Sequence, residues 1–544
     1  MENYNDIPVA QVESIYPDKV EIIVFNLKEF SQGLNLKVGS YLHISDSEDN
    51  TLIAATDSII SSNTDFGGTN IHCFKIVGHP LGSLIGGRFE RGTSGITVPI
   101  KEVRLAGQSE IKEIFENSVS DKLRFDMCHL ASDDEICVPL DGNKLFGKHI
   151  AVVGSTGSGK SYTVTKILQT VCQSGNILNN SHIVIFDIHS EYHAAFPDAN
   201  YLSISDLCLP YWLMNSTELQ EFFLDTDGND YNQRNIFKEG VINSKRAFFS
   251  GTAETLEKLT LDTPVYFEIE DVLAYASDKN SETVIGTSGR DKQGPMYGKL
   301  SNFISRLENK INDKRLEFLI GETARNKSFD DVLHQLMGYN DNKSNITIID
   351  VSGVPFEVLS VTVSLISRIL FDYGYFYKRT RANAGEIIQN DIPFLLVYEE
   401  AHKYVPNSTT SKYRAARESI ERIAKEGRKY GVSLMLSSQR PSEISETVFS
   451  QCNNFFAMRL TNPNDQNYVR RLLPDSMGTV VDSLPVLRSG EALIVGEAIV
   501  MPCIAKIDIT NNPPSSDDIP YWEIWKEPWH DLDIDIIRKE WMSR

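Results

Sequence analysis

The pattern of apolar and polar positions divides the chain into unlike parts. Before residue 100, short runs rich in Val, Ile, Tyr and Phe are separated by Gly, Asp, Ser and Asn turns. The runs are Val20–Phe25, Tyr41–Ile44, Leu52–Ala55 and His72–Val77. Several short strands at this spacing predict a small β-barrel. We assign it to residues 1–100 and interpret it as a docking domain, followed by a connector over residues 101–148.

Later in the chain, short apolar runs alternate with helical patterns. The runs that predict buried strands are Ile150–Val153, Ser181–Phe186, Ile346–Ile349, Phe394–Tyr398 and Ser433–Leu436. Such alternation is typical of an α/β fold with a doubly wound parallel sheet. The pattern places this core in two segments, residues 149–202 and 341–510.

The block between the two core segments, residues 203–340, is polar and mainly helical in pattern. Its one clear strand signal is Val265–Ile269. Because the block is too long for a plain loop, it predicts an inserted helical subdomain. Five basic residues in the block either line a channel or lie on a solvated helical face: Lys245, Arg246, Lys258, Arg290 and Lys292.

The last segment, residues 511–544, changes character again. It opens with the linker Asn512–Asp518, and then holds Trp522, Trp525, Trp529 and Trp541, four of the five tryptophans. So short a tail cannot form a core of its own. We therefore expect it to pack on the core or on a neighbouring subunit, although a partner protein is also open.

Composition narrows the class of protein. No apolar run approaches the roughly 20 residues that span a bilayer, and the polar, acidic N-terminus is unlike a signal peptide. The seven scattered cysteines fit a reducing cytoplasm rather than a disulfide framework. The net charge of −21 means that DNA, if bound, would meet a local basic lining rather than the whole surface.

One stretch after the first core strand matches G-x-x-x-x-G-K-[ST] in full. It reads Gly154-Ser155-Thr156-Gly157-Ser158-Gly159-Lys160-Ser161 and continues through Tyr162 into a helical pattern. Strand, glycine loop and helix in this order predict a phosphate-binding loop, and we assign all nine residues to ATP. Lys160 would reach the β- and γ-phosphates, and the Ser161 hydroxyl would hold Mg²⁺. The alternative is a glycine-rich turn with a chance lysine.

Carboxylates follow two of the predicted strands. Asp187 and Glu191 come after one, and Glu399 and Glu400 come directly after another. The carboxyl ends of parallel strands border the ligand crevice, so Asp187 is assigned to the ATP site, with a strand-end turn as the alternative. At the Walker B position, Glu399 would hold the water shell of Mg²⁺ and Glu400 would polarise the attacking water. Two solvated acids are the alternative there.

An amide and a basic helix follow. Gln439 comes after the strand at 433–436 and is predicted to contact the γ-phosphate or the attacking water. The helix before that strand carries Arg422, Lys425, Arg428 and Lys429. The residues alone leave open whether these cations act in function or lie on a solvated face.

Four stretches carry motifs at a specific spacing. They are Gly147–Ser161, Ile185–Tyr192, Val397–His402 and Ile423–Gln451, the last continuing into Cys452-Asn453 and Arg459–Pro463. With GRKYGV, SSQRPSEI and SQCN in this order, the chain resembles the HerA family of hexameric DNA translocases, in the HerA–FtsK branch of P-loop ATPases. The resemblance spans residues 1–510. It implies a RecA-like ATPase core with an N-terminal β-barrel and an inserted helical bundle.

The resemblance also implies an assembly and a set of catalytic residues. Similar proteins form six-membered rings with ATP sites between subunits, pass double-stranded DNA through the centre and dock an effector on their barrels. It implies that Lys160, Glu400 and Gln439 are catalytic in this chain. An arginine finger would reach the neighbouring subunit from Arg422 or Arg428, and Arg428 is preferred because it lies in the GRK match.

Two functions from different classes remain open. The first is an ATP-driven DNA motor of a bacterial cytoplasm, which works with a nuclease-like or sirtuin-like effector in phage defence or DNA end processing. The second is a ring-shaped scaffold whose ATPase assembles and gates that effector with little translocation. A monomeric small-molecule kinase would explain neither the arginine-rich helix nor the flanking barrel and tail.

Overall fold

A computed structural model of the chain describes residues 8–47, 50–66, 69–86, 88–92, 98–172, 178–224, 231–285, 291–339, 343–387, 390–408, 414–472, 475–516 and 519–542. They fall into two compact units. The first unit takes its described residues from Met1–Ser174, Met435–Ile444 and Phe449–Pro513. The second unit takes its described residues from Gly175–Leu434, Ser445–Val448 and Pro514–Arg544.

Strands and helices are numbered along the chain. The strands are β1 (Ala10–Ile15), β2 (Val20–Val24), β3 (Tyr41–Ser47), β4 (Asn50–Phe66), β5 (Thr69–Ile85), β6 (Arg88–Arg91), β7 (Glu102–Leu105), β8 (Arg124–Phe125), β9 (Cys128–Leu130), β10 (Asp133–Cys137), β11 (Leu140–Asp141), β12 (His149–Val153), β13 (His182–Asp187), β14 (Asn200–Leu202), β15 (Thr283–Ile285), β16 (Asp291–Gln293), β17 (Ile346–Asp350), β18 (Phe394–Tyr398), β19 (Val432–Ser438), β20 (Cys452–Ala457), β21 (Glu491–Gly496) and β22 (Cys503–Ile507). The α-helices are α1 (Leu27–Phe30), α2 (Gln108–Glu116), α3 (Gly142–Phe146), α4 (Lys160–Cys172), α5 (Ser216–Phe223), α6 (Tyr231–Phe248), α7 (Ala253–Glu257), α8 (Ile269–Ser281), α9 (Ser301–Ile311), α10 (Glu317–Ile320), α11 (Glu322–Arg325), α12 (Phe329–Leu336), α13 (Phe356–Asn383), α14 (Ala415–Glu426), α15 (Glu446–Phe449), α16 (Pro463–Leu472), α17 (Tyr521–Ile524) and α18 (Ile534–Met542).

The N-terminal part of the first unit is an antiparallel sheet in the order β1-β2-β5-β4-β3-β7, with β6 paired to β5. Its apolar core contains Val20, Ile22, Phe30, Leu42, Ile44, Leu52 and Ile76. Strands β1 and β7 line one groove of about 470 Å³. They share no ladder among the described residues, so the predicted barrel is present as an open half-barrel.

The other large sheet of the first unit runs in the order β10-β9-β22-β21-β20-β12-β19. Strand β12 is parallel to both of its neighbours, with Val153 opposite Ser438 and Ala457. All five residues of β12 are buried, as expected for a parallel strand that is covered on both faces. This register brings the carboxyl ends of β12, β19 and β20 to one edge.

In the second unit, four strands form a parallel array in the order β18-β13-β17-β14. Phe186 lies opposite both Ile349 and Tyr398, and Asp187 lies opposite Asp350. The acidic residues that follow these strands therefore share one edge of the array. Parallel buried strands joined by helices confirm the predicted α/β class with a RecA-like core.

The segment between β14 and β17 is mainly helical and runs from α5 to α12. The predicted strand at 265–269 is wrong, because α8 begins at Ile269 and no strand covers the residues before it. The side chain of Tyr211 takes the place of a partner strand. Its hydroxyl donates to the Phe267 carbonyl oxygen at 2.6 Å and accepts from the Ile269 N–H at 3.2 Å.

One of the basic residues in this segment lies in its core. Lys245 is fully buried, and its Nζ donates to the carbonyl oxygens of Leu261 at 2.7 Å and Thr263 at 2.6 Å. Burial lowers the pKa of Lys245 to about 8. The expectation that Lys245 lines a channel or a solvated face is therefore wrong, since its ammonium organises a loop instead. Arg290 lies outside the described residues.

The C-terminal tail presents its large apolar side chains to solvent in the single chain. Trp522, Trp525, Trp529 and Trp541 are at least 71% exposed. Of the linker before them, Ser515 lies in the second unit, where its N–H donates to the Glu191 carbonyl oxygen at 2.9 Å. Packing of the tail on a neighbouring subunit stays a prediction.

Two observations bear on the expectations from composition. All seven cysteines are free thiols, so no disulfide contributes to the fold. Among the described helices, none combines the length and the apolar character that a membrane crossing requires.

A half-buried ion pair joins α2 to the half-barrel and predicts a pH-dependent stability. Although burial alone raises it, hydrogen bonds from His43 and Arg104 lower the pKa of Glu110 to about 2. The distances are 2.5 Å from His43 Nδ1 and 3.0 Å from Arg104 Nη1. Because the pKa of Glu110 is lower in the folded protein than in the unfolded chain, its carboxylate stabilises the fold at pH values above the unfolded-state pKa. This stabilisation is lost as the pH falls towards the folded-state pKa.

We therefore expect Glu110→Gln to lower the free energy of unfolding by about 2 kcal/mol at pH 7. The difference from the parent protein should shrink as the pH falls from about 5 towards 2. Hydrogen–deuterium exchange of β3, β7 and α2 in increasing urea measures this difference in the free energy of unfolding. The control is Glu116→Gln, since the Glu116 side chain is 44% exposed. An effect of Glu110→Gln that is equal at all pH values would contradict the prediction.

Candidate nucleotide site

The glycine loop lies at the carboxyl end of β12, in the first unit. Its backbone is tied to both neighbouring strands, because the Gly154 N–H donates to the Ser438 carbonyl oxygen at 3.3 Å and the Ser155 N–H donates to that of Arg459 at 2.8 Å. Gly157 and Gly159 have φ angles of 70° and 101°, which strongly favour glycine. The first residue of α4 is Lys160.

Neighbouring atoms press on the loop so closely that side chains are excluded. A Cβ atom on Gly154 would lie 2.5 Å from Ser158 Oγ and 2.9 Å from Met458 Cβ. A Cβ atom on Gly159 would lie 3.1 Å from Met458 Cε. Lys160 is only 7% exposed. A tight glycine cradle in front of a 13-residue helix fits the binding of a triphosphate, because the helix N-terminus and free N–H groups favour anions.

Residues far along the chain support this loop, and the sequence analysis missed them. Ser489 Oγ donates to the Gly157 carbonyl oxygen at 3.1 Å, and the Gly490 N–H donates to that of Ser158 at 3.0 Å. Arg459 Nη2 also donates to the Gly157 oxygen at 3.4 Å. About 300 residues separate these partners from the loop, and no local pattern marks them.

The predicted sensor Gln439 belongs to the same unit and adjoins the glycine loop. Thr156 Oγ1 donates to Gln439 Oε1 at 2.6 Å. Because Gln439 directly follows β19 and Thr156 follows β12, parallel pairing of the two strands brings these side chains together. The structure therefore joins Gln439 to the predicted nucleotide-binding residues 154–162 in one cluster.

The second unit carries a cluster of acidic residues. Glu399 and Glu400 follow β18 and are only 4% and 5% exposed. Glu399 Oε2 accepts from the Ile188 N–H at 3.0 Å. Burial, together with the negative charges of Asp187 and Glu191, raises the pKa of Glu399 well above the ordinary carboxyl range. Such a crowded carboxylate favours a cation or a proton.

Glu400 has a backbone conformation that is rare for its residue type. Its φ and ψ angles are 47° and 51°, in the left-handed region, which costs a residue with a side chain about 1–3 kcal/mol. A one-turn 3₁₀ helix, Ala401–Lys403, follows directly. His402 Nδ1 lies 3.2 Å from Glu400 Oε2. Strain of this kind is concentrated at functional sites, so the geometry makes Glu400 the strongest candidate for a catalytic carboxylate.

Asp187 is fully buried and serves its own loop. Its Oδ1 accepts from the N–H groups of His189 and Glu191 at 3.2 Å each, and its Oδ2 accepts from the Tyr192 N–H at 3.0 Å. These bonds fix the turn after β13. The geometry therefore gives Asp187 a loop-anchoring role, and contact with ATP stays a prediction.

The two candidate arginines have different surroundings. Arg422 packs over the Phe371 ring at 4.5 Å, and its Nη1 lies 3.7 Å from Asp372 Oδ1, so it helps to hold α14 against α13. Arg428 is exposed and lies in the one-turn 3₁₀ helix Gly427–Tyr430.

The position of this turn determines where Arg428 can act. The Phe394 N–H donates to the Gly431 carbonyl oxygen at 2.7 Å, so the turn adjoins the amino end of β18. Glu400 follows the other end of the same strand. A strand of five residues spans roughly 15 Å. Arg428 is therefore too far from the acidic cluster of its own chain to act there.

Binding of Mg²⁺ stays a prediction. Among the residues that the structure describes, no group of three or more His, Cys, Asp or Glu side chains is arranged to hold a metal ion. This fits Mg²⁺ at a nucleotide site, since Mg²⁺ is usually held by one or two protein groups, water and phosphate oxygens. Ser161 in the first turn of α4 and the buried Glu399 provide the predicted donor types.

Because Asp187 anchors a loop, its removal should affect stability more than affinity. We expect Asp187→Ala to lower the free energy of unfolding by about 2 kcal/mol, since three backbone N–H groups, that of Tyr192 buried, lose their acceptor. The affinity for ATP should change less than threefold. Thermal unfolding and equilibrium binding of a fluorescent ATP analogue measure the two effects. A tenfold loss of affinity in a fully folded variant would instead favour contact with the nucleotide.

Comparison with known proteins shows which proteins the chain is similar to. The sequence model of the protein family described as "Helicase HerA, central domain" matches residues 125–370. The chain is 28% identical to the DNA double-strand break repair helicase HerA of Sulfurisphaera tokodaii, over 79% of this chain and 77% of that protein. It is 26% identical to the DNA double-strand break repair helicase HerA of Saccharolobus solfataricus, over 70% of this chain and 68% of that protein. VirB4 of Thermoanaerobacter pseudethanolicus superposes with a TM-score of 0.48 at 15% identity, over 74% of this chain and 98% of that chain. Residues 125–370 thus match the central domain of the HerA helicases, the chain is similar to HerA relatives over most of its length, and it is a P-loop ATPase.

Proposed function

We propose that this ATPase forms a homohexameric ring and moves double-stranded DNA through its pore. The observation that carries the proposal is the strained, buried Glu400 at a strand end, in a chain that also has a complete phosphate cradle. A protein that only binds a nucleotide needs no such carboxylate, whereas hydrolysis needs a base. The relatives named above are DNA double-strand break repair helicases, which supports DNA as the substrate.

Each site residue receives a role in this proposal. Mg²⁺, when bound with ATP, neutralises charge on the phosphates. Lys160 donates to the β- and γ-phosphate oxygens, and Ser161 and Glu399 hold the metal and its water shell. Glu400 accepts a proton from the attacking water. Gln439, already bonded to Thr156, reports the state of the γ-phosphate to the glycine loop.

The proposed ring places one arginine at the site of the neighbouring subunit. Arg428 lies at the opposite end of β18 from Glu400, so a head-to-tail contact between copies can present it to the next ATP site. There its guanidinium would stabilise charge in the transition state. Arg422 is assigned a packing role, since it is held against Phe371 and Asp372.

DNA and an effector are the proposed partners. Contacts with the phosphate backbone are independent of sequence, which suits a motor, and the net charge of −21 requires a local basic lining. The open half-barrel has its own apolar core and, among the described strands, no further strand pairs with its edges β1 and β7, which suits docking of a nuclease-like or sirtuin-like effector. We extend this to a cytoplasmic role in phage defence or DNA end processing.

The second candidate function is a ring-shaped scaffold that gates its effector with little translocation. The edges β1 and β7 of the half-barrel favour this candidate as well. ATP turnover with and without linear duplex DNA, with the mass determined in the same buffer, separates the two. A hexamer whose turnover rises with DNA supports the motor. A hexamer that is indifferent to DNA favours the scaffold, and a monomer contradicts both.

Glu400→Gln should keep ATP bound but lower kcat at least 100-fold, because the proton of the attacking water loses its acceptor. Steady-state turnover and binding of the nucleotide analogue measure this. Lys160→Ala is the companion variant and should lose ATP binding itself. Turnover by Glu400→Gln close to that of the parent protein would remove Glu400 from the role of base.

Arg428→Ala should abolish turnover in a homogeneous ring. Mixing it with Glu400→Gln subunits should partly restore turnover, since an intact Glu400 then receives an arginine from the neighbouring subunit. Turnover as a function of the mixing ratio measures the effect. Arg422→Ala is the control and should destabilise the α13–α14 contact without such complementation. Absence of rescue at every ratio would argue against an arginine acting between subunits.

A further inference from the structure

Two glutamates on α5, the first helix of the inserted segment, reach the pair α13 and α14. Glu218 and Glu221 are three residues apart and therefore lie on one face of α5. Glu218 is fully buried, and Glu221 is half-buried. Both contact elements of the ATPase core within the second unit, so the insertion is connected to that core by charged groups and not only by apolar packing.

Glu221 supplies the N-terminal cap of α14. Its Oε2 accepts from the backbone N–H groups of both Arg414 and Ala415, at 2.8 Å each. These are the residues at the start of the helix. The first N–H groups of a helix have no partner inside it, and a carboxylate there also complements the helix dipole. The cap of α14 therefore comes from another element, about 190 residues earlier in the chain.

Glu218 holds the neighbouring helix. Arg368 of α13 donates to both of its carboxylate oxygens, at distances between 2.9 and 3.2 Å. Ser364 Oγ donates to Glu218 Oε1 at 2.8 Å and lies 2.7 Å from Ser419 Oγ on α14. A planar guanidinium on a buried carboxylate is a strongly directional contact. It fixes α5 relative to both helices.

The same network continues towards the arginine-bearing end of α14. Arg368 Nη1 donates to Asp372 Oδ2 at 3.1 Å, and Asp372 faces Arg422. The turn that carries Arg428 directly follows α14. Helix α14 has 12 residues, and a displacement of its first turn is transmitted along its axis. The position of Arg428 therefore depends on the position in which Glu221 holds the start of α14.

We propose that Glu221 is a positioning residue for the arginine that acts on the neighbouring subunit, and that the inserted segment thereby sets the competence of that arginine. This inference rests on the proposed function of Arg428. Glu221 touches neither nucleotide nor metal in this proposal. A movement of α5 would be felt at the site of the next subunit and not at the site of its own chain.

The variants follow from the geometry of the cap. Glu221→Gln keeps one side-chain oxygen that can accept both N–H groups, so kcat should stay within twofold of the parent value. Glu221→Ala removes the acceptor and should lower kcat about tenfold with unchanged ATP affinity. Glu221→Asp has a side chain that is shorter by one methylene, and its kcat should lie between those of the Gln and Ala variants. Because it keeps a carboxylate, it serves as the test if Glu221→Ala impairs folding. Glu254→Ala, an exposed change on α7 of the same segment, is the matched control.

Subunit mixing separates this role from a general loss of structure. Glu221→Ala rings should regain turnover when mixed with Glu400→Gln subunits, as Arg428→Ala rings should, because the neighbour then supplies a well-placed arginine. Unchanged kcat in Glu221→Ala overturns the inference. So does a loss that mixing fails to restore while Arg428→Ala is restored in the same assay. If turnover is restored for neither variant, the result contradicts the proposed action of Arg428 on the neighbouring subunit, and the inference about Glu221 falls with it.

Discussion

The candidate site depends on one backbone constraint, the path of the loop from Gly154 to Lys160. Gly157 and Gly159 have positive φ angles, and Met458 presses on the loop so closely that a Cβ atom is excluded at Gly154. The loop cannot hold this path alone, because a chain segment with its N–H groups turned to a ligand has few internal bonds. Its support comes from β19, from Arg459 and from the turn at Ser489, so these segments hold the loop in the path that we propose for nucleotide binding.

A second constraint acts in the other unit, where acidic side chains are crowded at the strand ends. Asp187 is satisfied by three backbone N–H groups, so it is a structural charge. Glu399 accepts from the Ile188 N–H and has a raised pKa, which leaves it ready for a cation. Glu400 is held in a left-handed conformation. Three carboxylates with similar sequence context thus have three different physical states, which the surrounding backbone decides.

Charged groups also connect the inserted segment to the core. Breaking a buried pair such as Glu218–Arg368 leaves an uncompensated charge and is costly, so the pair holds α5 against α13. Glu221 extends this connection to the start of α14. A subdomain that is inserted between core strands can therefore influence catalysis without any residue in the nucleotide site. In the proposed ring, this connection would give a route by which contact with DNA or an effector reaches ATP turnover.

The sequence by itself determined the glycine loop, the strand-end acids and the α/β class, because each depends on a local pattern. These patterns are the spacing of the glycines, a short continuous apolar run for each buried strand, and a carboxylate directly after such a run. Only the tertiary structure decided the rest. It placed Gln439 against Thr156, buried Lys245 and replaced the strand predicted at 265–269 with a Tyr211 contact. It also separated Arg422 from Arg428. These outcomes depend on partners tens to hundreds of residues away, and burial and hydrogen bonding between distant segments leave no mark on a local pattern.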